Sequence, residues 1–402
     1  MNAIQFTDAV LTQRELLVCV GCGGVGKTTV AASLALESAR RGRHALVLTI
    51  DPAQRLADAL GVVALGNQPE PLPRDMLTAM GVPEHGSMYA VMLDMKRTFD
   101  DLVERFSETP AARDRILGNP IYQHLSDALA GSVEYSAMEK VFELHESGRY
   151  DLIVVDTPPA QHALDFLEAP ARLLDFLDSR LVALLIHPAF AAGRFGFRLF
   201  QRSTHRVLQL LEQVTGLGFL EDISEFLLAF EGMADGFRER ARGVRALSLG
   251  PTAAFVLVTA PGGESVRQAG RFLDRLEEHD VPLAGALVNR IRLWPGPKAP
   301  SSDSVPTPGD IASLAIALRD SEGLEYPAEL AARAAADGAT RYADLVRRDA
   351  ESTDTLRERI ESQNLFWGRI PDFDTDVHSL ANLGRVADWI SGRVKETIAG
   401  VE

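Results

Sequence analysis

Nine residues near the start of this 402-residue chain read GCGGVGKTT, from Gly21 to Thr29, and they leave little choice of fold. Before them LLVCV, residues 16–20, is a short apolar run rich in β-branched side chains; after them residues 30–38 continue with apolar positions at helical spacing. Strand, glycine loop, helix is the context that separates the pattern G-x-x-x-x-G-K-[ST], read from Gly21 to Thr28, from a chance glycine-rich turn. The whole stretch, Gly21, Cys22, Gly23, Gly24, Val25, Gly26, Lys27, Thr28 and Thr29, reads as a cradle. Its glycines let the backbone curl until successive N–H groups point at phosphate oxygens, at the positive end of the following helix. Lys27 adds a fixed positive charge for the outer phosphates, and the Thr28 hydroxyl is the natural ligand of a Mg²⁺ bridging them. The loop is expected to bind a nucleoside triphosphate.

Charge and composition narrow the partners. The formal net charge is −15, with 46% hydrophobic and 24% charged residues, which is ordinary for a globular protein. A charge of that sign argues against wrapping nucleic acid or lying on an anionic membrane, both of which need a positive surface field. No run of about eighteen apolar residues offers a bilayer span, and the start MNAIQFTDAVLTQRELL lacks the basic and apolar regions of a secretion signal. These features predict a cytoplasmic protein. The two cysteines, Cys19 and Cys22, formally spell C-x-x-C, but one pair cannot fill a tetrahedral zinc site and a metal there would compete with the phosphates. They are read as a strand residue and a loop residue.

The pattern downstream is that of an open α/β sheet. Residues 44–50, HALVLTI, form a second buried strand that ends at Asp51; residues 88–93 follow as another. An acidic residue at the carboxyl end of a parallel strand, beside the phosphate loop, lies where such sheets place their chemistry. Residues 150–156, YDLIVVD, form a continuous apolar strand closed by Asp156, whose carboxylate is expected to hold Mg²⁺ with Thr28. Residues 253–259 and 284–289 add two further strands, the latter ending at Asn289.

Between the strands, residues 62–88 are rich in proline and glycine and read as a loop, whereas 96–148 and 170–245 read as a helical subdomain of amphipathic helices. Residues 295–310 read as a flexible surface loop and 311–363 as a charged, alanine-rich helical insertion. No second phosphate loop occurs, so residues 1–402 are expected to form a single P-loop NTPase domain with a mostly parallel, doubly wound sheet.

The stretch VGCGGVGKTTVAASLALESARRGRHALVLTIDPAQRLADALG resembles the opening of the ArsA/Get3 family of ATPases, which carry a deviant Walker A loop. That resemblance implies ATP as nucleotide, hydrolysis with Mg²⁺, and a dimer, with itself or a related ATPase, that opens and closes with the cycle. It assigns Asp51, in DPAQ, to the first switch segment as the residue that orients or deprotonates the attacking water, although Gln54 replaces the usual histidine. DTPPAQH, from Asp156 to His162, is similar to the second switch, keeping Asp156, Thr157, Pro159 and His162. The resemblance also makes Asn289 the adenine reader, whose amide pairs with a purine edge, and places Pro371 in the purine-side loop after the final strand of LFWGRIPDFDTDVHSLANLGRVADWI.

Two departures from the family shape the expected activity. Where the family has a signature lysine that reaches the partner's phosphates, this chain has Cys22, and the late C-x-x-C of the zinc-bridged dimers is absent. Arsenite pumping needs converging thiolates, and the two loop cysteines are the only ones in the chain. The leading reading is therefore an ATPase that couples its cycle to a partner or a hydrophobic protein client, with 170–245 as the candidate client surface. The alternatives are a MinD/ParA-like positioning ATPase, which the mixed charges of LGRVADWISGRVKETIAGVE do not favour, and a non-hydrolysing ATP-binding regulatory subunit, which Cys22 suggests.

Overall fold

The computed structural model describes residues 2–50, 55–119, 122, 132–158, 171–172, 174–175, 234–295, 307–319, 326–373 and 379–394. Its centre is one eight-stranded sheet: β1 (Leu16–Gly21), β2 (His44–Thr49), β3 (Glu70–Pro71), β4 (Ser87–Met92), β5 (Leu152–Asp156), β6 (Ala253–Thr259), β7 (Leu283–Ile291) and β8 (Phe366–Pro371). The spatial order is β3-β4-β2-β5-β1-β6-β7-β8. Every pairing is parallel except the antiparallel β3–β4 edge. Parallel neighbours need crossovers, and crossovers cover both faces, which is why the inner strands are continuously apolar rather than alternating.

The two faces feed two cores with the period of a strand. Leu17, Cys19, Val154 and Val256 point into one, and Leu16, Val18, Val155 and Phe255 into the other. The first core lies under α1 (Ala3–Leu11), α2 (Lys27–Arg40), α3 (Arg55–Leu60) and α12 (Leu380–Ile390). The second lies under α7 (Ser132–Glu146), α8 (Ala234–Leu249), α9 (Gly263–Glu278) and the carboxyl half of α11 (Ala328–Ser362). Helix α2, the one that leaves the glycine loop, is buried almost all round, which fits its run of Ala, Val and Leu. The remaining described helices are α4 (Arg74–Ala79), α5 (Met95–Phe106), α6 (Pro110–Leu117) and α10 (Pro308–Arg319).

Local chemistry explains where the structure departs from the sequence reading. The stretch 62–88 is not all loop. It holds β3, two residues long, and α4, one and a half turns that begin after Pro73 and are anchored by Arg74, whose guanidinium donates to the carbonyls of Gly86 at 2.8 Å and Val82 at 2.9 Å. Elements that short carry no readable periodicity. Helix α10 begins at Pro308, inside the stretch read as surface loop, with Pro at a position that suits a helix start. Helix α1 is set by an Asn2–Gln5 capping box, with each side chain accepting the other's backbone N–H at 2.8 and 3.0 Å. Its Phe6 stacks on Phe366 of β8 with ring centroids 4.2 Å apart, so α1 closes over β8. The region 170–245, apart from isolated positions and the start of α8, lies outside the described residues.

Helices α7 and α8 are joined by buried charge. Arg240 donates to the carboxylate of Glu139, and to Glu146 at 2.8 Å. Burial pushes the Glu139 carboxyl up, from about 4.5 to about 7, against the pull of the Arg240 guanidinium. The folded protein therefore holds a proton there that the unfolded chain releases, so this group's contribution to stability falls as pH rises through that window. Glu139→Gln stays neutral throughout. Urea midpoints at pH 4.5 and pH 7 should show a loss of stability on raising the pH that is smaller in the variant, by on the order of 2 kcal/mol. An identical loss in the two proteins would mean that the Glu139 carboxyl titrates in the folded protein as it does in the unfolded chain.

Candidate functional site

The site is built at the carboxyl ends of the central strands, where β1 gives way to the loop and the loop to α2. Two glycines are dictated by contact. A Cβ on Gly21 would sit 2.0 Å from the Val258 carbonyl oxygen of the neighbouring strand β6, and one on Gly26 would sit 2.2 Å from the Asn289 side-chain nitrogen. Gly26 also has φ of 88°, in the left-handed region, as the residue that caps α2. The loop thus turns tightly while pressed against β6 on one side and Asn289 on the other. Gly23 and Gly24 are its exposed crest.

Behind the crest the polar groups are paired. The Lys27 ammonium is buried and donates to the Cys22 carbonyl at 2.8 Å, so its charge lies against its own loop. Thr28 Oγ1 donates to Asp156 Oδ2 at 2.6 Å. Thr49, on β2, donates to the same oxygen at 3.0 Å. The parallel registers Cys19↔Asp156 and Thr49↔Asp156 bring these three side chains from three segments to one point. Thr157, just past β5, returns its hydroxyl to the Cys19 carbonyl at 2.7 Å and fixes the start of the following segment. A hydroxyl and a carboxylate in contact, beside a loop of backbone donors, form the hard oxygen set that suits Mg²⁺ shared with phosphates.

The structure therefore brings together Gly21, Cys22, Gly23, Gly24, Val25, Gly26, Lys27, Thr28, Thr29 and Asp156. Asn289 joins them: its Nδ2 donates to the Val25 carbonyl at 2.9 Å. Pro371 stands at the end of β8, in register with Ile291 two residues beyond Asn289. Asp51 lies outside the described residues. Thr49 was not singled out from the sequence, although a lone hydroxyl two residues before Asp51 in an apolar strand was a usable signal.

With this geometry the chain can be set beside known proteins. The sequence profile of the anion-transporting ATPase family, ArsA, matches residues 14–300. The chain belongs to that family. It is similar to "ATPase get3" of Schizosaccharomyces japonicus, 26% identical over 281 residues that cover 70% of this chain and 75% of the relative. "ATPase GET3C" of Arabidopsis thaliana is 26% identical over 304 residues, covering 72% and 70% respectively. A "Putative arsenical pump-driving ATPase" of Halobacterium salinarum is 29% identical over 181 residues, 43% of this chain and 28% of that protein. The P-loop fold and the α/β sheet expected from the sequence are those of the family. No described helix is long and apolar enough to cross a membrane.

The two cysteines of this family member sit beside the loop as free thiols. Burial within β1 drives the Cys19 thiol far above the ordinary range, with Asp156 adding to the effect, and burial raises Cys22 as well. Cys22 Sγ lies 3.8 Å from the Ser265 carbonyl at the start of α9. A protonated, covered thiol is a poor nucleophile. In the native protein both should react with a thiol reagent at pH 8 at least about tenfold more slowly than free cysteine, and both at full rate in denaturant. Rapid labelling of Cys22 in the folded protein would contradict its burial.

Proposed function

We propose that this chain hydrolyses ATP with Mg²⁺ in the cytoplasm and uses the cycle to switch a dimer, formed with itself or a related ATPase, that acts on a partner or a hydrophobic protein client. The observation that carries the reading is the 2.6 Å contact of Thr28 with Asp156 directly behind a loop whose turns only glycine can make. Family membership supports the nucleotide as ATP. The relatives' names make them ATPases; the client and the dimer are extensions from the resemblance.

In this reading the backbone N–H groups from Cys22 to Thr29 bind and orient the phosphates, and the helix α2 behind them favours the negative charge. Lys27 exchanges the Cys22 carbonyl for a phosphate oxygen and remains charged through the transfer. Thr28 and Asp156 would hold Mg²⁺, which when bound neutralises charge on the phosphate oxygens. Thr49 keeps Asp156 aimed toward Thr28. Asp51 orients or deprotonates the attacking water, and Asn289 and Pro371 border the base. With Cys22 in the place of the family's signature lysine, the chain supplies no loop lysine to its partner's phosphates. That substitution favours one second reading, an ATP-binding subunit that does not turn over.

Two variants divide these readings. Lys27→Ala should abolish tight ATP binding by calorimetry, because a triphosphate in the loop then lacks its main cationic side chain; micromolar binding with normal turnover would remove the phosphate loop from the mechanism. Asp51→Asn should bind ATP as wild type does while turnover falls by about a hundred- to ten-thousandfold. Parallel loss of binding and turnover would assign Asp51 to the nucleotide pocket instead. If 170–245 presents a client surface, an apolar-surface dye should respond to ATP with Mg²⁺ in the wild type and not in Lys27→Ala, since a nucleotide shifts an equilibrium only by binding one state better.

A further inference from the structure

We propose that Asn289 is a strut of the phosphate loop: a positioning residue that holds Val25 and Gly26 in their binding conformation before any nucleotide arrives. This rests on the reading of the loop as the ATP site and adds to Asn289 a task separate from reading a base.

Four observations converge on it. Asn289 Nδ2 donates to the Val25 carbonyl at 2.9 Å across 264 residues of sequence. The same nitrogen occupies the space a Cβ on Gly26 would need, at 2.2 Å, so loop and amide touch over two successive residues. Asn289 is only 6% exposed, which places the bond away from competing water. Finally, Arg290 has φ of 59°, a conformation that residues other than glycine, asparagine and aspartate seldom adopt.

That backbone turn is what aims the strut. The β7–β8 register runs Val288↔Arg369 and then Ile291↔Pro371, three steps on β7 against two on β8, so Asn289 and Arg290 form a bulge. The strand is pinned again just beyond it. Asp372 N donates to the Ile291 carbonyl at 3.0 Å, and Arg292 N to Asp349 Oδ2 of α11 at 3.0 Å. Strained backbone persists where its surroundings over-determine it, and here they hold one amide against the loop. A carboxamide has two N–H donors and one acceptor. With one N–H on Val25, the other and Oδ1 remain for a base, so a single side chain links base recognition to the shape of the phosphate cradle.

Hydrogen–deuterium exchange on the full chain without nucleotide tests the strut directly. In Asn289→Ala, amides of residues 22–27 should exchange about three- to tenfold faster than in wild type, while β6 is unchanged, as expected for loss of one buried hydrogen bond. Asn289→Asp, with the same shape and no N–H donor when ionised, should behave alike and serves if the alanine variant does not fold. The second arm uses inorganic tripolyphosphate with Mg²⁺, a ligand with no base: its affinity should also fall severalfold, and that of ATP by at least as much because ATP loses the base contact too. Unchanged loop exchange, or a loss confined to ATP, overturns the strut and leaves Asn289 as a base reader only. Failure of Mg²⁺ and ATP to protect the wild-type loop would instead overturn the ATPase reading, while the nucleotide-free comparison still decides the strut.

Discussion

Nothing local holds Thr28 Oγ1 2.6 Å from Asp156 Oδ2. The contact requires β1 and β5 to lie side by side with Cys19 opposite Asp156, and α2 to begin at Lys27. A third strand must bring Thr49 to the same oxygen. In return the two hydroxyls help a carboxyl group to stand at 2% exposure at the end of an otherwise apolar strand, since a buried polar group without partners is strongly disfavoured. Site and sheet are therefore one construction. Displacing β5 by a single residue would turn Asp156 toward the opposite core and dismantle both.

The same logic explains why the polar groups collect at one end. Inner strands covered by helices on both faces offer no surface along their length, and only their carboxyl ends, where crossovers begin, can expose chemistry. Cys22 marks a cost of that crowding. It is enclosed between the loop and the start of α9, with the Ser265 carbonyl nearby, so its thiol is covered rather than presented to a ligand.

What could be read from the sequence follows from how each feature is encoded. Strands β1, β2, β5 and β6 are contiguous apolar runs, and two-sided burial writes itself into consecutive letters. The glycine loop was legible because each of its letters is a backbone or phosphate requirement. Helix α1 has a start signal in N-x-x-Q, but its 9 residues are shorter than the window over which a helical period can be read. Strand β3 and helix α4 are shorter than any period that could reveal them. The contact of Asn289 with Val25 was invisible for another reason: it joins a loop to a strand 264 residues away, and no local pattern records which strand will arrive there.

That separation has a bearing on how the protein is made. Strand β1 emerges first, but its neighbours in the sheet are β5 and β6, and the amide that touches its loop belongs to β7. Once the loop is made, a ribosome must deliver a further 264 residues to reach Asn289 and complete the walls of the cradle, at synthesis rates of about 5–20 residues per second. For those tens of seconds the glycine loop is a flexible segment next to an apolar strand with open edges. The nascent chain is thus most exposed to mispairing and to chaperone capture at the very residues that later define its activity.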